Sequence, residues 1–434
     1  MDIAQDATDE RRNARMLLFQ KYPTLPISPG VPPEGATNDW VDEQLIEALS
    51  RNAVNAIVTE DKRLARKAVA KLGPDRILSL SDAIVQLSGL VDTPVQPPPV
   101  VRAVHALDLD PRDPIWQSFR EDYLCFDDWF RKYQLEHRKA WVIPSEDNTH
   151  IAGVVIVNHE TAEPIGSKTL KVCSLKVEAH HGGKRYGELL MKALFTYALA
   201  NQYDSLLITA FPKYDALLAL LGEFGFRIEP ELRSTGELVL TKRLRVGICS
   251  EATNDALDYH VGYGPAAVDI LGPPVYVVPI IPQYHRMLFP DLERSPTLFP
   301  GREAYGNSIR KAYLSRSAIA VPEPGAVLLF YRSEDEQAVR CLGVTEGAIR
   351  SRDPQKIGTF VIARTVYTPD EIASMCLDRE VLAIRFRQCL LPITLPITRD
   401  ELVKAGVIAA PPQSITKVKE DCKPWLIERL RRPS

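Results

Sequence analysis

Between Leu170 and Phe195 an alternating apolar segment runs into Gly182-Gly183-Lys184-Arg185-Tyr186-Gly187 and on into a segment with apolar residues at helical spacing. Leu170, Val172, Leu175 and Val177 predict a strand, and Leu189, Leu190, Ala193 and Leu194 predict a helix with one buried face. The glycines let the main chain approach an anion. The first amides of a helix have no partner within it and carry partial positive charge, so the turn reads as a pyrophosphate cradle. Lys184 and Arg185 add full charges.

A strand, a Gly-rich turn and a helix also open dinucleotide and Walker nucleotide sites. This chain has no Gly-Lys-Ser/Thr ending, and no acidic residue closes a second strand where a ribose would require one. Instead Ser205 to Ala210 reads as a second apolar strand and Tyr214 to Leu221 as a helix, followed by Gly222-Glu223-Phe224-Gly225-Phe226-Arg227. In this the chain resembles the GCN5-related N-acetyltransferase (GNAT) family, whose site is a strand, a Q/R-x-x-G-x-G/A loop and a helix, closed by a later Gly-Phe. The resemblance implies acetyl-CoA as cofactor. It would be held by Leu175 and Val177 on the strand and by Gly182, Gly183, Lys184, Arg185, Tyr186, Gly187 and Glu188 on the loop and helix start.

Two family positions differ. Arg185 stands where the family usually has the middle glycine and Gly182 where it has Gln or Arg, so pyrophosphate binding would lean on Lys184 and Arg185 as well as on amides. The family's frequent general acid, a Tyr about four residues before the Gly-Phe pair, is Leu221 here. Tyr214 is the nearest phenol and the preferred substitute for protonating the departing thiolate; the alternative is a helix-start tyrosine that packs its ring. Glu178, His180 and His181 end the first strand and are the candidate bases. The alternative for each is a polar loop that caps the following helix.

Upstream, Val101 to Ala106 predicts a strand, Asp113 to Tyr123 a helix, and Phe126 to Phe130 an aromatic helical face suited to core packing. Lys139 to Ile143 and Ile151 to Asn158 form a hairpin across the turn Ser145-Glu146-Asp147-Asn148. Glu237 to Arg243 makes a closing strand. The resemblance spans residues 98 to 245.

A chain of 434 residues with 45% hydrophobic and 25% charged residues and a net charge of -3 is expected to hold several globular domains and does not advertise a nucleic-acid binder. Seven cysteines without CxxC or His-Cys clustering argue against structural zinc and a disulfide framework. The acidic start lacks a signal-peptide run, and no stretch of about 18 apolar residues exists. A cytoplasmic protein, with no membrane partner, is expected.

Pro94, Pro97, Pro98 and Pro99 mark a linker at 93–100, and Gly262, Gly264, Pro265, Gly272, Pro273 and Pro274 a second at 246–273. In the segment 1–92, a helix at Glu43 to Ser50, the run Ala56 to Asp61, a basic helix at Lys62 to Lys71 and a strand at Arg76 to Ser79 resemble the second half of a PIN domain, a nuclease fold. That resemblance makes Asp42 and Asp61 weak metal candidates, with Asp39 as a spare. The family's opening strand ending in Asp is missing. The segment is truncated, and a partner supplies the rest, or it is degenerate; a docking or regulatory remnant is favoured over a nuclease.

Beyond residue 274, strands are expected at Val275 to Ile280, Leu328 to Tyr331 after a Pro324-Gly325 turn, Cys341 to Glu346, Thr359 to Arg364 and Glu380 to Gln388. Helices are expected at Tyr284 to Phe289, Ser308 to Leu314 and Lys417 to Arg432. This pattern resembles the PUA-like modules, including the ASCH and EVE groups, which bind RNA or modified bases. It implies Arg310, Lys311, Tyr313, Arg316 and Tyr331 as nucleic-acid-binding residues. A solvated basic helix face is the alternative.

The fold class expected is therefore α/β and α+β multidomain. A GNAT mixed β-sheet with flanking helices (101–245) follows the partial PIN-like segment and precedes a PUA-like β-barrel (274–434), as in bacterial multidomain proteins of this kind. The expected activity is acetyl-CoA-dependent N-acetyl transfer to an amine on a nucleic-acid-associated acceptor, with RNA or an RNA-associated protein as partner. A non-catalytic RNA-binding regulator with decayed enzyme units, in a toxin–antitoxin or defence setting, is the alternative.

Overall fold

The computed structural model describes residues 38–51, 54, 56–74, 76–80, 82–83, 101–160, 168–178, 185–232, 235–293, 307–361, 364–393 and 396–431. By contacts between residues the chain divides into two units, Met1–Ile84 and Val85–Ser434. None of the described helices is long and apolar enough to cross a membrane.

In the first unit, helix α1 (Asn38–Ser50) precedes strand β1 (Ile57–Val58), and helix α2 (Lys62–Leu72) precedes strand β2 (Ile77–Leu78). The two short strands pair in parallel. Ile46, Leu49, Ile57, Leu64 and Ala68 make the small core. Charge complementarity joins the helices, with Asp39 on Arg63 at 2.6 Å and Glu43 on Lys67 at 2.8 Å. Asp61 caps α2, its carboxylate accepting from the amides of Arg63 at 2.7 Å and Leu64 at 3.2 Å. Burial and the nearby Asp61 carboxylate raise the Asp42 carboxyl. Among the described residues no group of three or more His, Cys, Asp or Glu could hold a metal. Of the candidate metal residues, Asp61 is engaged as a helix cap.

The second unit begins with a seven-stranded mixed sheet. Its elements in chain order are β3 (Arg102–His105), α3 (Gln117–Asp122), α4 (Phe126–Leu135), β4 (Lys139–Pro144), β5 (Ile151–Glu160), β6 (Thr169–Val177), α5 (Tyr186–Ala200), β7 (Ser205–Ala210), α6 (Asp215–Glu223), β8 (Arg227–Leu232) and β9 (Leu238–Arg243). The strand order is β3-β4-β5-β6-β7-β9-β8. Period-two alternation places Val154 and Ile156 on the α3/α4 face with Trp116, Phe126 and Phe130. Val155 and Val157 face α5 and α6 with Leu190, Leu194 and Leu221. The sequence reading missed β8, whose Arg227 and Ile228 pair with Thr241 and Leu240.

Residues 246–273, expected as a linker, carry a short parallel pair, β10 (Gly247–Ile248) and β11 (Ala267–Val268), and helix α7 (Ala256–Tyr263). Val268 and Ile270 are fully buried in a core shared with the following sheet. The Gly-Phe corner explains part of this order. Gly225 has φ +78°, and a methyl group there would lie 1.9 Å from the Val261 carbonyl oxygen on α7. Only glycine permits both that backbone conformation and that approach.

The remaining elements are β12 (Val275–Ile280), α8 (Pro282–Leu288), β13 (Arg310–Ser315), β14 (Val327–Arg332), β15 (Ala338–Ser351), α9 (Pro354–Val361), α10 (Pro369–Asp378), β16 (Val381–Cys389), β17 (Ile397–Thr398), α11 (Arg399–Lys404), β18 (Thr416–Lys417) and α12 (Lys423–Arg431). They build a second mixed sheet in the order β13-β16-β15-β14-β12-β18, with β17 on β15. It is open, with β13 and β18 at its ends, and not the closed barrel expected from the PUA-like pattern.

Two local expectations are corrected. Ser308 to Leu314 supplies strand β13 instead of a helix. Ala312 and Leu314 pack on one face against Ile357 and Phe360, while Tyr313 turns to Phe330 on the other. Pairing with β16 overrides the basic pattern that suggested a helix face. Thr359 to Val361, expected in a strand, instead ends helix α9, which is started by Pro354 and by Asp353, which accepts from the Gln355 amide at 2.9 Å.

Candidate active site

Strands β6 and β7 are parallel neighbours for only four residue pairs, from Thr169 with Ser205 to Val172 with Ile208. Beyond Val172, β6 continues to Val177 along β5, with Gly153 opposite Val177, while no ladder joins it to β7. The two strands therefore open into a wedge edged by Cys173 to Val177. An extended amide-bearing arm can lie along such an edge as an added strand does. Leu175 is buried and Val177 half-buried against the α5 core, so their main chain, not their side chains, borders the wedge.

The loop that should hold the pyrophosphate lies partly outside the described residues, and Gly182, Gly183, Lys184, His180 and His181 are among those not described. The description resumes at Arg185, which ends the loop in the left-handed conformation at φ 60° and ψ 20°, and α5 starts at the next residue. A glycine, which the GNAT pattern has there, takes this conformation without strain. The Arg185 guanidinium is turned inward, donating from Nη1 to Glu188 Oε2 at 2.9 Å, with both side chains 5% exposed. Arg185 therefore offers the anion its backbone geometry and not an outward cation.

Three other expected cofactor residues have interior roles. Tyr186 is 2% exposed and belongs to the core, its phenol pushed up to about 12 by burial. Gly187 faces α6, where a methyl group would stand 2.7 Å from Leu220 Cδ2. Glu188 accepts from the Arg310 amide at 2.7 Å as well as from Arg185. The fit to acetyl-CoA thus rests on the wedge and on the start of α5, whose first amides project from the helix end.

Glu178 stands one residue past β6, its amide donating to the Ala152 carbonyl at 2.9 Å. Its Oε2 lies 3.1 Å from His150 Nε2. Sequence reasoning missed His150, because the β5–β6 register that brings it across from Glu178 is not visible in local pattern. Lys176, on β6, donates to the Ile115 carbonyl at 2.7 Å and Ser118 Oγ at 2.6 Å. Burial lowers its pKa, and the carboxylates of Glu178, Glu121 and Asp122 oppose that shift.

Asp122 connects this group to the end of β7. Its carboxylate, 8% exposed, accepts from the Tyr214 phenol and pairs with Lys213. Burial, then the Asp122 hydrogen bond, raise the Tyr214 phenol well above its ordinary value. Tyr214 is consequently protonated at neutral pH, the state a proton donor needs. The Tyr123 phenol donates to Glu237 at 2.6 Å, and burial and that carboxylate raise it too.

The residues expected to bind nucleic acid are placed differently. Lys311 is fully buried, Tyr331 is 1% exposed, and Tyr313 is buried with its hydroxyl donating to the Pro279 carbonyl at 2.5 Å. Arg310 is ion-paired with Glu223 at 2.7 Å and Glu346 at 3.0 Å. Arg316 is exposed and donates to the Ser374 carbonyl at 3.2 Å. Strand pairing directs alternate side chains of β13 into two cores, so these residues do not form one basic outer face.

Residues 101–226 match the Acetyltransferase (GNAT) family model. This segment is a GNAT acetyltransferase domain, and acetyl-CoA is the cofactor of its family. The match begins beyond the segment expected to be PIN-like, and nothing found supports that resemblance. No curated protein matches the chain. Among solved structures, ASCH from Zymomonas mobilis is similar at 15% identity and a TM-score of 0.28, covering 36% of this chain and 94% of that one. A GNAT-family protein from Desulfovibrio desulfuricans is similar at 14% identity and 0.27, covering 33% and 99%. An IAA acetyltransferase from Bacillus cereus is similar at 17% and 0.24, covering 33% and 98%.

Proposed function

We propose that the protein is an N-acetyltransferase that moves the acetyl group of acetyl-CoA onto an amine in the wedge between β6 and β7. The observation that carries this reading is the placement of Glu178, paired with His150, at the end of β6, while Tyr214, bonded to Asp122, follows β7. Acetyl-CoA supplies the activated thioester. Glu178 takes the proton of the incoming amine, directly or through one water, and His150 orients that carboxylate. Main-chain amides around Val177 polarise the acetyl carbonyl, and the Tyr214 phenol protonates the leaving thiolate. The first turn of α5, behind Arg185, holds the pyrophosphate.

The nucleic-acid-associated acceptor rested on Arg310, Lys311, Tyr313, Arg316 and Tyr331, and the buried positions of Lys311, Tyr313 and Tyr331 withdraw that support. The amine acceptor remains.

Calorimetry with acetyl-CoA tests the reading. A dissociation constant in the micromolar range, on the order of -8 kcal/mol, is expected, and release of free CoA thiol should depend on an added amine. A folded protein that binds no acetyl-CoA at millimolar concentration would overturn it. Gly187→Val is a poor probe, because the substituted side chain would strike Leu220 before any ligand.

A further inference from the structure

A small cavity lies where the helices of the first large sheet meet α7 and β16. Phe195, Phe224, Pro265 and Ile309 give it apolar walls. Lys242, His260 and Arg387 supply its polar and charged groups. The cavity has room for about one water-sized particle. Lys242 is 2% exposed and Arg387 7% exposed, so both cations belong to the interior.

Each of these cations has a donor left over. Lys242 Nζ donates to the Val261 carbonyl at 2.8 Å and to the Gly262 carbonyl at 3.3 Å, which uses two of the three N–H groups of an ammonium. The Arg387 Nε–H has no acceptor among the described residues, although Glu346 Oε1 lies 2.9 Å from that nitrogen. Glu346 is also shared: it pairs with Arg310 at 3.0 Å and feels the charges of Arg364 and Arg385. The charges that bear on Lys242, those of Arg387 and Arg227, are both positive, and with burial they lower its pKa. His260 stays neutral, because its Nδ1–H donates to the Ala267 carbonyl at 2.7 Å and burial pushes its pKa down to about 4. Positive charge thus exceeds negative charge around the cavity.

We propose that this cavity binds one halide ion, such as chloride, between Lys242 Nζ and the Arg387 guanidinium. A single-atom anion suits the room available, whereas phosphate, sulfate and carboxylates carry several heavy atoms. An ion enters a buried site only where donors and opposite charge replace its water, and Lys242 and Arg387 provide both. The halide offsets the charge of the two guanidiniums that act on Lys242 and joins β9 of the first large sheet to β16 of the second.

The test titrates the full chain, in a gluconate buffer free of halide, with chloride at constant ionic strength, following the linewidth of the chloride NMR signal and the urea unfolding midpoint. Saturable broadening and a rising midpoint are expected. Lys242→Met should weaken chloride binding roughly 10-fold or more, the scale of losing one buried partner of a charge. Sulfate at equal ionic strength should not raise the midpoint. If Lys242→Met does not fold, bromide replaces chloride in crystals of the unaltered protein, and its anomalous scattering should place the ion in contact with Lys242 and Arg387. Three results would overturn the proposal: equal chloride dependence in the unaltered protein and Lys242→Met, stabilisation that sulfate matches, or bromide peaks that all lie outside the cavity.

Discussion

The carboxylate of Glu188, in the first turn of α5, accepts a hydrogen bond at 2.7 Å from the main-chain N–H of Arg310, which lies 122 residues later on the second sheet. The same glutamate holds Arg185 at 2.9 Å, and the Arg310 side chain reaches back to Glu223 at the end of α6 at 2.7 Å. Glu346 on β15 completes the junction, with Arg310 at 3.0 Å and Arg387 at 2.9 Å. Burial works to raise the Glu346 carboxyl, yet the Arg310 and Arg387 guanidiniums hold it well below the usual carboxylate range. The start of α5 is thereby fixed to the C-terminal sheet.

Arg310→Ala should therefore destabilise the chain. It leaves Glu346 and Glu223 short of a cation in a largely buried setting, where breaking such a pair costs about 3 kcal/mol or more. Urea unfolding of the two proteins checks this. An unchanged midpoint would mean that the junction relaxes around the lost side chain.

Glu178→Gln should lower turnover about 100-fold or more, the scale of a lost general base, while acetyl-CoA binding stays within a few-fold. His150→Ala should have a smaller effect on turnover, because it removes the partner that orients the carboxylate. Steady-state kinetics beside calorimetry separates the two effects. Full activity in Glu178→Gln would move the base elsewhere, with His180 the next candidate.

Lys242 gives a pH prediction. Burial, followed by Arg387 and Arg227, pushes its pKa down to about 7, and its Nζ donates to the Val261 carbonyl at 2.8 Å. An unfolded lysine keeps its proton to about pH 10.4. Between those values the unfolded chain binds the extra proton, so stability should rise with pH from about 7 to 10. Urea midpoints across that window should climb, and Lys242→Met should flatten the climb. A Lys242→Met slope equal to that of the unaltered protein would show the lysine to be charged when folded.

Asp61→Ala should destabilise the N-terminal unit by about 1 kcal/mol through loss of the α2 cap. Helical circular dichroism of that unit during thermal unfolding is the measurement. Mg²⁺- or Mn²⁺-dependent RNA cleavage that disappears in Asp61→Asn would instead restore the metal-site reading.

Local pattern alone determined the elements whose burial follows a simple period. The strand Ser205–Ala210 coincides with its expected limits, as does Val275–Ile280, and Tyr186–Ala200 starts one residue before the expected end of the Gly-rich loop. Apolar spacing dictates which face is buried, and local turn chemistry sets where such segments stop, so neighbouring residues suffice. The strand, loop and helix pattern likewise pointed to acetyl-CoA as the cofactor. Tertiary structure decided the rest. Lys311 and Tyr313 became interior because β13 pairs with β16, more than sixty residues away, and Glu178 met His150 because Gly153 falls opposite Val177. Arg185 reads as an outward cation in the sequence, but Glu188, which also accepts from the Arg310 amide, draws it into a buried junction. Such contacts depend on which distant segments share a sheet edge, and no period within one segment encodes that choice.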